Sequence, residues 1–213
     1  MNYSFRKKNK TVKYIVIHYT GMRDLKSAFF KLNHHKSDVS SHYLISRLGI
    51  IYNLICPSLK AWHAGISQWK KDKNLNDLSI GIELENKGHE YGYVNFTNKQ
   101  YESLKILINF LIYAYRIKNE NIIYHSDISP NRKKDPGEKF DINKINIKRF
   151  KKDKITKNIS LLKMLNIYGF SEEYINFYFY DCIVSVKRAM GYKFINSKIN
   201  SRFEKDFYNL LFR

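Results

Sequence analysis

The stretch at residues 79–85 constrains the fold more than any other. It alternates strictly: Ile80, Ile82 and Leu84 fall on one side and Gly81, Glu83 and Glu85 on the other. Period two over seven residues predicts a β-strand with one apolar face. A second, β-branched run, Ile15–Val16–Ile17 ending at His18, predicts a buried strand over 14–18. Between the two runs lie a helical spacing over 25–35 (Leu25, Ala28, Phe29, Leu32) and a hairpin pattern, 41–47 and 50–55 around Leu48-Gly49. Downstream, Thr97 or Asn98 caps a long amphipathic helix to about residue 116, and 121–124 predicts a short strand ending at His125. Strands alternating with helices in this way predict an α/β fold with a mixed central β-sheet flanked by helices.

The chain has 213 residues, 44% of them hydrophobic, enough for one domain and a small second one. The first domain is expected over residues 1–152. A basic stretch at 148–157 reads as a linker or an exposed helix end, and 158–213 reads as a small C-terminal helical domain. Its helices are predicted over 161–165, from the capping Ser171 towards Met190, and from about Ser201, with Gly191 breaking the last two apart.

The formal net charge is +19, which suits an anionic partner. The cations are mostly Lys, spread along a chain also rich in Asn, Ile, Tyr and Phe, as an AT-rich coding sequence produces. No helix-turn-helix, zinc-finger or RNP signature accompanies them, so no specific nucleic-acid partner is expected. No apolar run approaches the ~18 residues of a membrane span, so no transmembrane segment is expected. The basic start lacks an apolar core before a cleavage site, so the expectation is a cytoplasmic chain without a signal peptide. A leader removed before residue 1 would instead place it in the periplasm or facing the wall. Two cysteines, Cys56 and Cys182, are too few for a disulfide framework or a cysteine-based zinc site.

Three residues carry metal chemistry. His18, His125 and Asp135 each stand where a strand ends or a loop begins. Two imidazoles and one carboxylate with a fourth position left open form a catalytic zinc pattern rather than a structural one.

The segments around them add specificity. IVIHYTG (15–21), SSHYLISRLGIIYNL (40–54), AWHAGIS (61–67), NLNDLSIGIELEN (74–86) and HSDISPNRKKDPG (125–137) resemble, in order, the type 2 N-acetylmuramoyl-L-alanine amidases. This zinc amidase family is related to phage amidases and peptidoglycan recognition proteins. The resemblance implies one Zn2+ per chain, held by His18, His125 and Asp135. It implies Glu83 and Lys133 as catalytic residues, and peptidoglycan fragments (muropeptides) as substrates. The reaction would be hydrolysis of the amide between the lactyl group of N-acetylmuramic acid and L-alanine of the stem peptide. Lys133 is chosen over Lys134 on motif register.

His63 and Trp62 would line the substrate cleft, although His63 could also close the metal site as a fourth ligand. Asn86 and Arg132 would contact peptide or sugar. Asp127 either orients a ligand or caps its loop. The alternative function is a non-catalytic peptidoglycan-recognition module; it requires a lost zinc ligand, and all three are present. Two departures from the pattern stand out. Ile142 occupies a position where Trp is common, and the Cys ligand of some recognition proteins is replaced by Asp135. The C-terminal region loosely resembles the small helical domain of some relatives, which would make it either a peptidoglycan-binding module or a plain structural appendage.

Overall fold

The computed structural model describes residues 2–150 and 159–212. Most of the basic stretch expected at 148–157, and both expected domain borders, fall outside the described residues. The strands are β1 (Tyr3–Phe5), β2 (Tyr14–Tyr19), β3 (Tyr43–Ile45), β4 (Ile51–Asn53), β5 (Leu59–Ala61), β6 (Gln68–Trp69), β7 (Asp72–Lys73), β8 (Ser79–Leu84) and β9 (Ile122–Tyr124). The α-helices are α1 (Leu25–Asn33), α2 (Gly88–Tyr91), α3 (Asn98–Tyr115), α4 (His125–Ile128), α5 (Leu161–Tyr168), α6 (Glu172–Ala189) and α7 (Ser201–Phe212).

The central sheet has five strands in the order β4-β3-β8-β2-β9. β3, β8, β2 and β9 run parallel, and β4 closes one edge as the antiparallel partner of β3. The mixed sheet flanked by helices is the architecture the sequence predicts. The pairs β1–β5 and β6–β7 are two- and three-residue ribbons too short to leave a periodic signal.

One face of the sheet presents Ile15, Ile17, Ile80, Ile82, Leu84 and Ile122 to α3. The helix answers with Leu104, Leu107, Ile108 and Leu111, spaced three and four residues apart so that they share one side. Burying four such side chains stabilises by about 1.5–3 kcal/mol each. Thr97 starts this helix with a full capping box: its side chain accepts from Gln100 N, and the Gln100 side chain accepts from Thr97 N.

The opposite face presents Tyr14, Val16 and Ile123. Here the cover comes from the C-terminal helices, through Leu165, Tyr168, Ile183, Val186, Phe203 and Phe207, with Trp69 wedged between. The C-terminal region therefore shares a continuous hydrophobic cluster with the sheet. No helix among the described residues is long and apolar enough to cross a membrane.

Candidate active site

Parallel strands gather whatever follows their carboxyl ends. β2 and β8 run side by side in a register that sets His18 opposite Glu83. Ile17 pairs with Tyr124 of β9, and His125 follows at once as the first residue of α4. The loop after α4 folds back, with Ser126 N donating to the Asp135 carbonyl at 2.9 Å. Three distant parts of the sequence thus meet at one end of the sheet.

His18 Nδ1 lies 2.9 Å from His125 Nδ1 and 3.0 Å from Asp135 Oδ2, and His125 Nδ1 lies 2.9 Å from the same carboxylate oxygen. All three residues are buried. Burial first, and then the neighbouring His125, pulls the His18 pKa down to about 4 against the opposing carboxylate of Asp135. Burial opposes ionisation of Asp135, but His125 and His18 outweigh it and hold the carboxyl well below the usual range. At neutral pH the cluster therefore offers a neutral imidazole at His18 and a carboxylate.

Hydrogen bonds behind the cluster settle which ring nitrogens carry protons. Ser79 Oγ donates to the Leu75 carbonyl at 2.6 Å, so it accepts from His63 Nε2–H at 3.1 Å. His63 Nδ1 is then the acceptor for His18 Nε2–H at 3.0 Å. His18 Nδ1 is left with a bare electron pair. His125 Nε2 faces the Ala64 carbonyl at 3.3 Å; in the neutral ring that carries its proton on Nε2, Nδ1 is bare as well. Two electron pairs and a carboxylate oxygen that converge in this way repel one another unless they share a cation. The donor set therefore fits a metal ion, and the imidazoles already have the outer partners that orient metal-binding histidines. A group of His18, His125 and Asp135 able to hold a metal is what the sequence anticipates.

The cluster opens on a cavity of about 340 Å³ whose wall includes Glu83, Lys133, Trp62 and Arg132. Glu83 is half-buried, with an enclosed Oε2 that has no hydrogen-bond partner among the described residues. Burial, and then the charge of Asp135, raises its pKa well above the ordinary value, while Lys133 works the other way. The Lys133 charge reaches both His18 and Glu83, and Lys133 and Lys134 both line the cavity.

The other expected site residues are placed less simply. Arg132 donates to the Ile66 carbonyl and to Ser129 Oγ, bracing the loop at the cavity mouth. Trp62 lines the wall while its Nε1 donates to Ser4 Oγ at 3.2 Å. His63 packs behind His18, with both ring nitrogens engaged. Asn86 is not brought to this cavity: it is buried, its Nδ2 donates to the Val94 carbonyl and its Oδ1 accepts from Gly88 N.

Two features escaped the sequence reading. His89 lies on the cavity wall with Tyr19, whose hydroxyl is 2.8 Å from His89 Nδ1. Gly81 makes room for the ring of His63, since a Cβ there would come within 2.5 Å of it. A glycine in the middle of an otherwise regular strand is the one local sign of that close approach.

A mixed α/β sheet with a His–His–Asp cluster at its strand ends, beside a carboxylate in a cavity whose Oε2 is unpaired among the described residues, defines a candidate metallo-hydrolase. The sequence matches the N-acetylmuramoyl-L-alanine amidase family model over residues 8–138, and the chain belongs to that family. It is 41% identical to the N-acetylmuramoyl-L-alanine amidase AmiD of Escherichia coli over 141 residues, 61% of this chain and 50% of that protein. It is 43% identical to the 1,6-anhydro-N-acetylmuramyl-L-alanine amidase AmpD of Haemophilus influenzae over 104 residues, 48% of this chain and 54% of that protein. The chain thus spans about half the length of these curated relatives. Among solved structures it is similar to E. coli AmiD in complex with the substrate anhydro-N-acetylmuramic acid-L-Ala-D-γ-Glu-L-Lys. That likeness has a TM-score of 0.77 at 28% identity and covers 96% of this chain and 90% of the other.

Proposed function

We propose that this chain is a zinc-dependent N-acetylmuramoyl-L-alanine amidase acting on muropeptides. It would hydrolyse the amide between the lactyl group of N-acetylmuramic acid and L-alanine of the stem peptide. The observation that carries the reading is the convergence of His18 Nδ1, His125 Nδ1 and Asp135 Oδ2 within 3.0 Å of one another beside the unpaired Oε2 of Glu83. Family membership and the likeness to AmiD support it.

His18, His125 and Asp135 would hold one zinc ion. Zinc bound there supplies Lewis acidity, which polarises a carbonyl oxygen and acidifies a water. Glu83 is the general base and then the general acid. Its raised pKa suits a carboxylate that takes a proton from the attacking water and passes it to the departing alanine nitrogen. Lys133 places a positive charge beside the carbonyl oxygen as negative charge develops there, an effect worth about 3–4 kcal/mol for a well-aimed donor. His63 and Ser79 hold the ring of His18 in the tautomer that leaves Nδ1 free. Trp62 and Arg132 shape the wall against which sugar or peptide lies.

The test uses the anhydro-muropeptide carried by the AmiD complex. Release of intact stem peptide should stop when zinc is stripped by a chelator and return when zinc is restored. Cleavage that survives complete stripping would exclude the mechanism.

A further inference from the structure

We propose that Tyr168 and Ser185, contributed by the C-terminal helices, are positioning residues of the metal centre. They act with Arg149 on Asp127, and through it on the one-turn helix that presents His125. The inference deepens the amidase reading and rests on it for the identity of the metal.

The helix in question, α4, has four residues and begins directly after β9. One turn cannot hold its own geometry, because nucleating a helix fixes several dihedral angles for very few hydrogen bonds. Something outside must set the angle at which His125 leaves the sheet. The structure assigns that task to Asp127, two residues on, whose side chain is completely buried. Its Oδ2 accepts from Tyr124 N at 2.9 Å, which ties the carboxylate to the end of β9, and from the Arg149 guanidinium. Its Oδ1 accepts from the Tyr168 hydroxyl at 2.7 Å. Ser185 Oγ donates to the Ser126 carbonyl at 2.8 Å and lies 3.5 Å from the same Oδ1. The two residues that follow His125 are thus each gripped by a hydroxyl from a C-terminal helix, Tyr168 on α5 and Ser185 on α6.

A buried ion pair is a poor source of stability, since desolvation offsets most of its attraction; its better-attested use is to specify one arrangement. Here Arg149 spans the parts: it pairs with Asp127, lies 4.2 Å over the Tyr124 ring and approaches the Tyr168 hydroxyl at 3.5 Å. Burial, and then the charge of Asp127, pushes the Tyr168 pKa well up, so its hydroxyl stays protonated and remains a donor. The C-terminal helices therefore do more than cover the apolar sheet face. They set the orientation of a metal ligand that belongs to a different part of the chain.

The experiment measures Zn2+ affinity of the full chain by competition with a chromophoric chelator, together with kcat and KM on the anhydro-muropeptide. Removing outer partners of metal ligands costs roughly 10- to 100-fold in metal affinity or activity. Tyr168→Phe and Ser185→Ala should each weaken zinc about 10-fold and lower kcat with KM unchanged. Ser185→Thr, which keeps the hydroxyl, should restore both. Ile183→Val, in the same buried cluster but outside the network, should lower thermal stability and leave zinc affinity alone.

Unchanged zinc affinity in a folded Tyr168→Phe or Ser185→Ala protein would overturn the proposal. So would an equal loss in Ile183→Val, which would reduce the network to general packing. If the wild type binds zinc and cleaves nothing, the amidase reading fails while the affinity measurements still decide this one. A wild type that binds no zinc would overturn both.

Discussion

The two faces of the central sheet make an instructive pair. Toward α3, the strands bury Ile15, Ile17, Ile80 and Ile82 against Leu104, Leu107, Ile108 and Leu111. Toward the other face, β2 begins apolar with Tyr14 and Val16, β8 begins with Ser79 and Gly81, and the two strands end polar, with His18 and Glu83. The first face is held by volume and pattern, which many apolar side chains could satisfy. The second depends on individual atoms: a ring nitrogen with a bare electron pair, a carboxylate oxygen without a partner among the described residues, a glycine where a ring must fit. Substitutions on the first face should therefore be felt as stability, and substitutions on the second as metal affinity and rate.

The contrast is sharpest for Glu83. Glu83→Gln keeps the shape and removes the proposed base, so kcat should fall roughly 100- to 10,000-fold, the usual range for general acid–base catalysis. Zinc content, read by atomic absorption on the same samples, should not change. A fall in zinc alongside kcat would mean that Glu83 helps to hold the ion.

Ile108→Ala probes the opposite face. It should cost about 2–5 kcal/mol of unfolding free energy in denaturant titrations, as truncation of a buried aliphatic residue does. Zinc affinity and kcat of the folded protein should stay at wild-type values; a loss of zinc affinity would show that the two faces are coupled.

Gly81→Ala should act through the ring it crowds. The added Cβ displaces His63, His18 loses its acceptor, and zinc affinity should drop about 10-fold by chelator competition. Wild-type affinity in that variant would mean that His18 holds its tautomer without His63.

The smallest effect concerns the cost of keeping Glu83 enclosed. Its folded pKa is raised, so the folded protein keeps a proton that the unfolded chain gives up. The corresponding stability is fully present below the ordinary value of 4.5 and is lost as pH rises through the folded pKa. Metal-free wild type should lose stability over that window, and metal-free Glu83→Gln should lose less. Parallel stability profiles for the two would show that burial does not strain Glu83.

How much of this was legible in the sequence follows the same division. The helix α3 was readable because its apolar residues recur every three and four positions and Thr97 announces its start. β8 was readable because its side chains alternate. The His18–His125–Asp135 group, which could hold a metal ion, was readable from the histidines at strand ends and from the residues around them. What lay out of reach was contact between distant positions. Nothing near His63 shows that it will stand behind His18, and nothing near Tyr168 shows that its hydroxyl will reach Asp127. Asn86 was expected to contact peptide or sugar, yet its amide is engaged by the backbone of Gly88 and Val94. β1, β5, β6 and β7 are pairings of two or three residues, fixed by tertiary context rather than by local pattern.

Zinc content and muropeptide cleavage, measured on one preparation of wild type beside Asp135→Ala, decide whether His18, His125 and Asp135 form one zinc site for amide hydrolysis. One zinc per wild-type chain with release of intact stem peptide is expected, and the loss of both in the variant. A variant that keeps its zinc and its turnover, or a wild type that binds no zinc and cleaves nothing, would contradict that assignment.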